Sequence, residues 1–146
     1  MRPKLWHHIM TGLSVALLLA VTLFVCIRYK SLPDQIPTHF GADGAADGFG
    51  SRSSVFFPLI LAWFTLGLMT VLSFFPKAWN VPNNKPRTLA AAADMIAVLR
   101  LVVSAMFAWM ILCSTLGRGL GVWFLPVTML ATFAPLVYLL VAAAKK

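Results

Sequence analysis

The chain has 146 residues, of which 60% are hydrophobic and 11% are charged, and its formal net charge is +8. A soluble domain carries about 25% charged residues, so a chain this apolar is expected to lie in a lipid bilayer rather than in water. The positive charge does not indicate nucleic-acid binding, because the basic residues form small clusters at the ends of apolar runs and not one basic stripe. The composition therefore predicts an all-α integral membrane protein.

The first apolar run contains 23 uncharged residues between Lys4 and Arg28. About 20 helical residues cross the hydrocarbon core of a bilayer, so this run is long enough to span it. It is also longer than the apolar part of a signal peptide, and it leads into Arg28 and Tyr29 without a small-residue cleavage site. We therefore predict an uncleaved first membrane helix.

Three further apolar runs follow, and each is long enough to form a membrane-spanning helix. A basic connector with Pro82, Asn83, Asn84 and Pro86 separates the second run from the third, and a glycine-rich turn separates the third from the fourth. The prediction is one membrane domain over residues 1–146, with four transmembrane helices at about residues 8–27, 55–75, 96–115 and 122–141.

Two ionisable residues, Asp94 and Arg100, fall on the predicted third helix, for which Thr88 is the expected N-cap. Asp94 and Arg100 are six residues apart and do not face each other, so no salt bridge is expected within the helix. Both are predicted to be membrane-edge charges. Asp94 would stay at the cytoplasmic surface, and Arg100 would extend towards the headgroups or find a partner.

The distribution of Lys and Arg predicts that both termini are cytoplasmic. In that orientation the inner side receives seven basic residues: Arg2, Lys4, Lys77, Lys85, Arg87, Lys145 and Lys146. The outer side receives four, which are Arg28, Lys30, Arg52 and Arg118. The polar loop of residues 29–54 would then be extracytoplasmic.

This polar loop is predicted to be a short β-hairpin between the first two helices. Pro33 and Pro37 favour extended backbone in the residues before them, and the segment 41–44 contains two glycines suited to a turn. The expected strands are residues 38–40 and 45–47. Four apolar residues are expected to anchor the hairpin on the helices: Leu32, Ile36, Phe40 and Phe49.

The loop also contains a group of polar residues that could carry chemistry, namely His39, Asp43 and Asp47. One interpretation is a metal site, although one imidazole and two carboxylates make a small ligand set. A second is acid–base catalysis with His39 as base and Asp47 orienting it, although no nucleophile motif accompanies them. The third is structural: His39 and Asp47 face each other across the hairpin, and Arg52 or Lys30 neutralises the Asp47 carboxylate.

The two cysteines, Cys26 and Cys113, would both lie about one helical turn from the outer surface. A disulfide between them is geometrically feasible. The alternative is that both are small apolar residues within otherwise apolar runs.

The segment LPDQIPTHFGADGAADGFGSR resembles the signature of the bacterial membrane family catalogued as domain of unknown function 1648. The matching positions are Leu32, Pro33, Ile36, Pro37, His39, Phe40, Gly44, Asp47, Phe49, Gly50, Ser51 and Arg52. This chain has Gly41 where the family usually has Asn, and Arg52 where it usually has Lys. The family also includes the front part of Sdp-type immunity proteins, which protect a bacterium from its own secreted toxin.

The resemblance implies a multi-pass protein of the bacterial cytoplasmic (inner) membrane. We predict a non-enzymatic accessory or immunity-type protein that binds a protein partner, either a toxin or a membrane protein, through the outer loop. It would need no cofactor and bind no nucleic acid. The candidate binding residues are Pro37, His39, Phe40, Asp43, Gly44, Asp47 and Arg52. Two alternatives stay open: a small membrane enzyme or metal-binding protein using His39, Asp43 and Asp47, and a transport subunit that depends on Asp94 or Arg100.

Overall fold

The computed structural model describes residues 4–81 and 85–144. Several residues used in the sequence analysis lie outside these ranges: Arg2, Pro82, Asn83, Asn84, Lys145 and Lys146. The described chain forms four long helices, α1 (Leu5–Arg28), α2 (Phe56–Ser73), α3 (Pro86–Leu116) and α4 (Phe124–Ala144). All four are long and apolar enough to cross a membrane. The predicted fold class, four transmembrane-type helices with a hairpin between the first two, is confirmed.

Large apolar side chains cover the outside of the bundle. Ile27, Phe57, Trp109 and Leu130 are all exposed, and they come from α1, α2, α3 and α4 respectively. A water-soluble monomer rarely exposes contiguous apolar surface on this scale, whereas lipid tails cover it without cost. The helices therefore form a multi-pass membrane protein whose outer surface contacts lipid.

Helix α3 is the centre of the bundle, because it packs against each of the other three helices. Its buried face carries small residues, including Ala92, Ala97, Ser104 and Ala108, which let neighbouring backbones approach closely. A polar contact joins α1 and α2 within the apolar interior, where Trp63 Nε1 donates to Thr22 Oγ1 over 3.0 Å.

The start of α3 differs from the prediction. The helix begins at Pro86 with Lys85 in the N-cap position, so the assignment of Thr88 as the N-cap is wrong. Proline is well suited to the first helical position, because its fixed φ matches the helix and its missing N–H has no partner there. Thr88 lies one turn later and is buried.

Strands β1 (Gln35–Phe40) and β2 (Ala46–Ser51) pair in antiparallel fashion and form the predicted hairpin, with longer strands than expected. The turn is closed by hydrogen bonds from Gly41 N to Ala45 O (2.8 Å) and from Gly44 N to Gly41 O (2.9 Å). Gly44 has φ +77°, a conformation that residues with a Cβ rarely adopt. This glycine therefore serves the turn as predicted.

The hairpin is fixed to the helix bundle at both of its ends. At its foot, Leu32 and Ile36 are buried against the helices. At its tip, the Gly44 carbonyl accepts a 2.7 Å hydrogen bond from Leu120 N in the turn between α3 and α4. A Cβ added at Gly44 would lie only 2.5 Å from the Gly121 carbonyl oxygen. The hairpin is therefore a built part of this end of the bundle.

The prediction that Phe49 anchors the hairpin is wrong, because its side chain is exposed. Successive residues of a strand point to opposite faces. On β2 the more buried positions are Ala46, Gly48 and Gly50, so Phe49 lies on the outer face together with Asp47. Phe40, also expected as an anchor, is only half-buried.

Candidate functional site

The His39–Asp47 pair lies on the hairpin. His39 pairs with Gly48 in the β-ladder, and this register brings the His39 ring beside Asp47. His39 Nδ1 lies 2.5 Å from Asp47 Oδ1, so the prediction that the two side chains face each other is confirmed. The His39 side chain is 75% exposed and that of Asp47 is 51% exposed. A polar pair this exposed contributes about 0–1 kcal/mol to stability, so its main effect is to orient the imidazole.

Orienting the ring has a chemical consequence. A carboxylate at Nδ1 sets which ring nitrogen carries the proton and holds the ring in one direction. Within the described chain, Nε2 of His39 forms no hydrogen bond, so it is available to a molecule that docks on this face. The geometry makes His39 a positioned hydrogen-bonding group on an open surface.

Asp43 stands next to this pair at the hairpin tip. Its Oδ1 accepts a 3.0 Å hydrogen bond from Ala45 N, which stabilises the turn. A Cβ built at Gly41 would lie 3.0 Å from Asp43 Oδ1 and 3.3 Å from Asp47 Oδ2, so both carboxylates border the same backbone position. The two carboxylates make the hairpin tip acidic.

The three polar residues do not form a metal-ligand cluster in the structure. Within residues 4–81 and 85–144, no group of three or more His, Cys, Asp or Glu side chains is arranged to hold a metal ion. His39 and Asp47 contact each other, while Asp43 is engaged with the turn backbone. The geometry thus gives the metal-binding alternative no support.

Arg52 lies at the foot of the hairpin, away from Asp47. Its guanidinium Nη2 is 3.1 Å from Asp34 Oδ1, and Arg52 N donates to the Asp34 carbonyl over 3.0 Å. The ladder explains this contact. Gln35 pairs with Ser51, so Asp34, which precedes Gln35, lies beside Arg52, which follows Ser51. The expectation that Arg52 or Lys30 neutralises Asp47 is wrong, since in the described chain the ionic partner of Asp47 is His39.

A mainly apolar groove lies between the hairpin and the helices. It has a volume of about 390 Å³, and Pro37 and Phe40 form its hairpin side. Its helix side is formed by residues of α2 and α3, among them Phe57, Pro58 and Phe107. A space of this size accommodates a large apolar side chain or part of a lipid chain. Of the candidate binding residues, Pro37 and Phe40 therefore face the groove rather than the polar tip.

The opposite end of the bundle carries a second polar cluster, which the sequence analysis missed. Asp94 of α3 is 2.8 Å from His7 Nε2 and accepts hydrogen bonds from Lys4 Nζ over 3.1 and 3.2 Å. As predicted, Asp94 forms no ion pair with Arg100 in the described chain, because Arg100 instead donates to Thr11 Oγ1 on α1.

A sequence signal for this cluster exists. Helices α1 and α3 both start at this end of the bundle, and His7 and Asp94 lie at nearly the same distance from the last residues of their helices, Arg28 and Leu116. Matching the depths of polar residues on two parallel helices would have paired them.

The two cysteines do not form a disulfide. Cys26 is exposed and Cys113 is buried, and both are free thiols. Their environment in the bundle fits the interpretation of small apolar residues.

Together the fold and site define a multi-pass membrane protein that presents a structured hairpin at one end of a four-helix bundle. The family model described as Domain of unknown function (DUF1648) matches residues 16–62, which include most of α1, the whole hairpin and the start of α2. The resemblance seen in the hairpin sequence is confirmed for that segment.

One curated relative is an uncharacterized protein of Archaeoglobus fulgidus. It is 34% identical over 68 residues, which cover 41% of this chain and 37% of the relative. The chain therefore spans little more than a third of that relative's length. No solved structure matches the chain.

Proposed function

We propose that this protein is a non-enzymatic accessory or immunity-type protein that binds a protein partner, such as a toxin or another membrane protein, at the hairpin end of its bundle. The observation that carries the proposal is the hairpin itself. It is fixed to the bundle at foot and tip, it exposes a polar pair and Phe49, and two of its other residues, Pro37 and Phe40, line an apolar groove.

The fixed hairpin supports binding because a preorganised surface loses little conformational entropy when a partner docks. The backbone hydrogen bond between Leu120 and Gly44, together with the buried Leu32 and Ile36, holds the surface in place before any partner arrives. A loop that served only to connect α1 and α2 would need neither the tip contact nor the exposed aromatic residue.

The side chains on this surface indicate the chemistry of the partner. Phe49 is 61% exposed, and aromatic residues, phenylalanine included, are enriched at protein interfaces. Asp43 and Asp47 make the tip acidic, while the groove beside it is mainly apolar. The partner segment would offer an apolar side chain to the groove and a cationic or hydrogen-bond-donating group to the tip.

The same surface is poorly suited to acid–base catalysis. His39 and Asp47 are open to solvent, whereas catalytic groups work best in water-excluded sites where electrostatic interactions are strong. Recognition requires only that the imidazole be oriented, and the pair achieves this.

Site-specific photo-crosslinking tests the proposal. A photoreactive phenylalanine analogue replaces Phe49 in one variant and Phe74 in the other, and both are expressed in native membranes. Phe74 is the matched control, because it is also an exposed phenylalanine but lies at the other end of α2. We expect one discrete protein adduct from position 49 and none of that mass from position 74.

Two crosslinking results would contradict the proposal. If both positions give the same adducts, or position 49 gives only lipid adducts while the protein is correctly folded, the hairpin end is not the docking surface. Adding Asp47→Ala to the Phe49 variant should reduce the specific adduct, because it removes the carboxylate that orients His39.

A further inference from the structure

An open cavity of about 350 Å³, with a mainly apolar lining that includes several polar side chains, lies at the end of the bundle opposite the hairpin. It is lined by the starting turns of α1, the end of α2 and the first half of α3, and Trp79 borders it. Its polar lining includes His7, His8, Thr11 and Arg100. Charged and polar side chains inside a membrane protein are costly, so their concentration around one cavity points to a function.

Arg100 is the central observation. The residue is only 6% exposed and borders the cavity. One guanidinium nitrogen donates to Thr11 Oγ1, but Nε is buried and has no hydrogen-bond partner in the described chain. A hydroxyl oxygen gives a hydrogen bond but no negative charge, so the guanidinium is not neutralised by this contact.

The nearest acidic residue on the same helix does not neutralise Arg100 either. The Asp94 carboxylate is already held by Lys4 Nζ and His7 Nε2, and in the described ranges its ion pairs include no arginine. A buried charge without a counter-charge is strongly unfavourable. Only an anion beside the guanidinium would compensate its charge.

The position of the cavity identifies a suitable anion. Its walls on α1 and α2 come from the ends of those helices, and Trp79 is an aromatic residue of the kind found at the level of lipid headgroups. His8, which is exposed at the cavity, adds another possible donor. Phosphate is recognised by arginine through planar, multiple hydrogen bonds, and basic pockets between membrane helices bind anionic lipid headgroups.

We propose that this cavity is a binding site for a phosphate group, with Arg100 as its principal ligand and Thr11 as the residue that positions Arg100. The phosphate belongs either to the headgroup of an anionic lipid or to a soluble phosphate compound. This site is separate from the hairpin surface and independent of partner binding there.

Thermal unfolding of the purified protein in detergent tests the proposal. The probes are dioleoyl phosphatidylglycerol, the zwitterionic dioleoyl phosphatidylcholine, and inorganic phosphate compared with chloride at equal ionic strength. A ligand that binds only the folded state raises the unfolding midpoint. We expect phosphatidylglycerol to raise it by several degrees and phosphatidylcholine to have a clearly smaller effect. If inorganic phosphate alone raises it, the site is confirmed with a soluble source for the phosphate.

Arg100→Gln should lower the affinity for whichever ligand raises the midpoint by about tenfold or more, because the substitution removes the charge that pairs with the phosphate. Arg118→Gln is the matched control, since it removes the same charge from an exposed position at the hairpin end. Without ligand, Arg100→Gln should not lower the unfolding midpoint, because the variant lacks an uncompensated charge. A purely structural arginine would instead destabilise the protein when replaced, whether or not ligand is present.

Ala93→Leu provides a test that keeps Arg100 and does not depend on the folding of the first variant. Ala93 is half-buried at the cavity wall, so a larger side chain narrows the space for a headgroup. We expect this variant also to lose the phosphatidylglycerol effect. The proposal is overturned if neither lipid nor phosphate shifts the midpoint, if both lipids raise it by the same amount, or if the shift survives unchanged in the cavity variants.

Discussion

Each end of the bundle carries a histidine–aspartate pair, but the two pairs lie in opposite environments. At the hairpin end, the side chains of His39 and Asp47 are 75% and 51% exposed. At the other end, those of His7 and Asp94 are 11% and 16% exposed, and Lys4, whose side chain is 54% exposed, also contacts Asp94. The same two residue types therefore have different roles, since burial decides whether a contact governs stability or leaves a group available for recognition.

Establishing which end of the bundle faces out of the cell is the experiment that separates the two ends most clearly. Ala45 at the hairpin tip and Ala78 after α2 are both exposed and can be replaced by cysteine in a background lacking Cys26 and Cys113. We expect a membrane-impermeant maleimide to label Ala45→Cys in intact cells and to label Ala78→Cys only after permeabilisation. The reverse pattern would invert the orientation predicted from the basic residues.

The fixed hairpin tip is the next feature to test. Gly44→Ala places a Cβ at a positive φ and within 2.5 Å of the Gly121 carbonyl oxygen, so the tip must separate from the α3–α4 turn. We expect a loss of more than about 1 kcal/mol in the free energy of unfolding, because the left-handed conformation alone costs that much for alanine. The measurement is the unfolding midpoint together with protease cleavage at the hairpin.

Gly67→Ala is the matched control for this change. Gly67 lies within α2, and a Cβ there would meet no atom within 4 Å. Replacing a glycine inside a helix should stabilise the protein by roughly 0.5–1 kcal/mol. An equal loss from both substitutions would show that the tip contact has no special importance.

The two pairs should respond differently to removal of their carboxylates. Asp94→Asn removes the carboxylate that holds His7 and Lys4, and because the side chains of His7 and Asp94 are largely buried we expect it to lower the free energy of unfolding by about 2 kcal/mol. Asp47→Asn should cost less than about 1 kcal/mol, because its pair is exposed to solvent. Unfolding midpoints of the two variants in the same detergent give the comparison, and similar losses would contradict the difference in roles.

Much of this architecture could be predicted from the sequence, since long uncharged runs specify membrane helices and a loop rich in proline and glycine specifies a turn. The prediction that His39 and Asp47 face each other followed from the same reasoning about the hairpin. The outward direction of Phe49 was missed, although alternation along β2 places Phe49 on the same face as Asp47, two residues away.

The contacts between distant segments were also beyond the sequence reasoning. The Arg52–Asp34 pair depends on where the strands end, and the cluster of Lys4, His7 and Asp94 depends on the relative depth of two helices. The attachment of the hairpin tip to the α3–α4 turn has no sequence signal beyond the glycines themselves. Local patterns specify the elements, whereas these contacts arise only when the elements pack.

The central claim is that the hairpin end binds a protein partner through the oriented His39–Asp47 pair. It is tested most directly by crosslinking native membranes and purifying the tagged protein as wild type, Asp47→Ala and Asp34→Ala at equal expression. Asp34 is the matched control, an exposed carboxylate in the same loop that pairs with Arg52 at the foot of the hairpin. We predict a partner recovered with the wild type and with Asp34→Ala but lost with Asp47→Ala. A partner retained equally in all three, or none in any, would contradict the account.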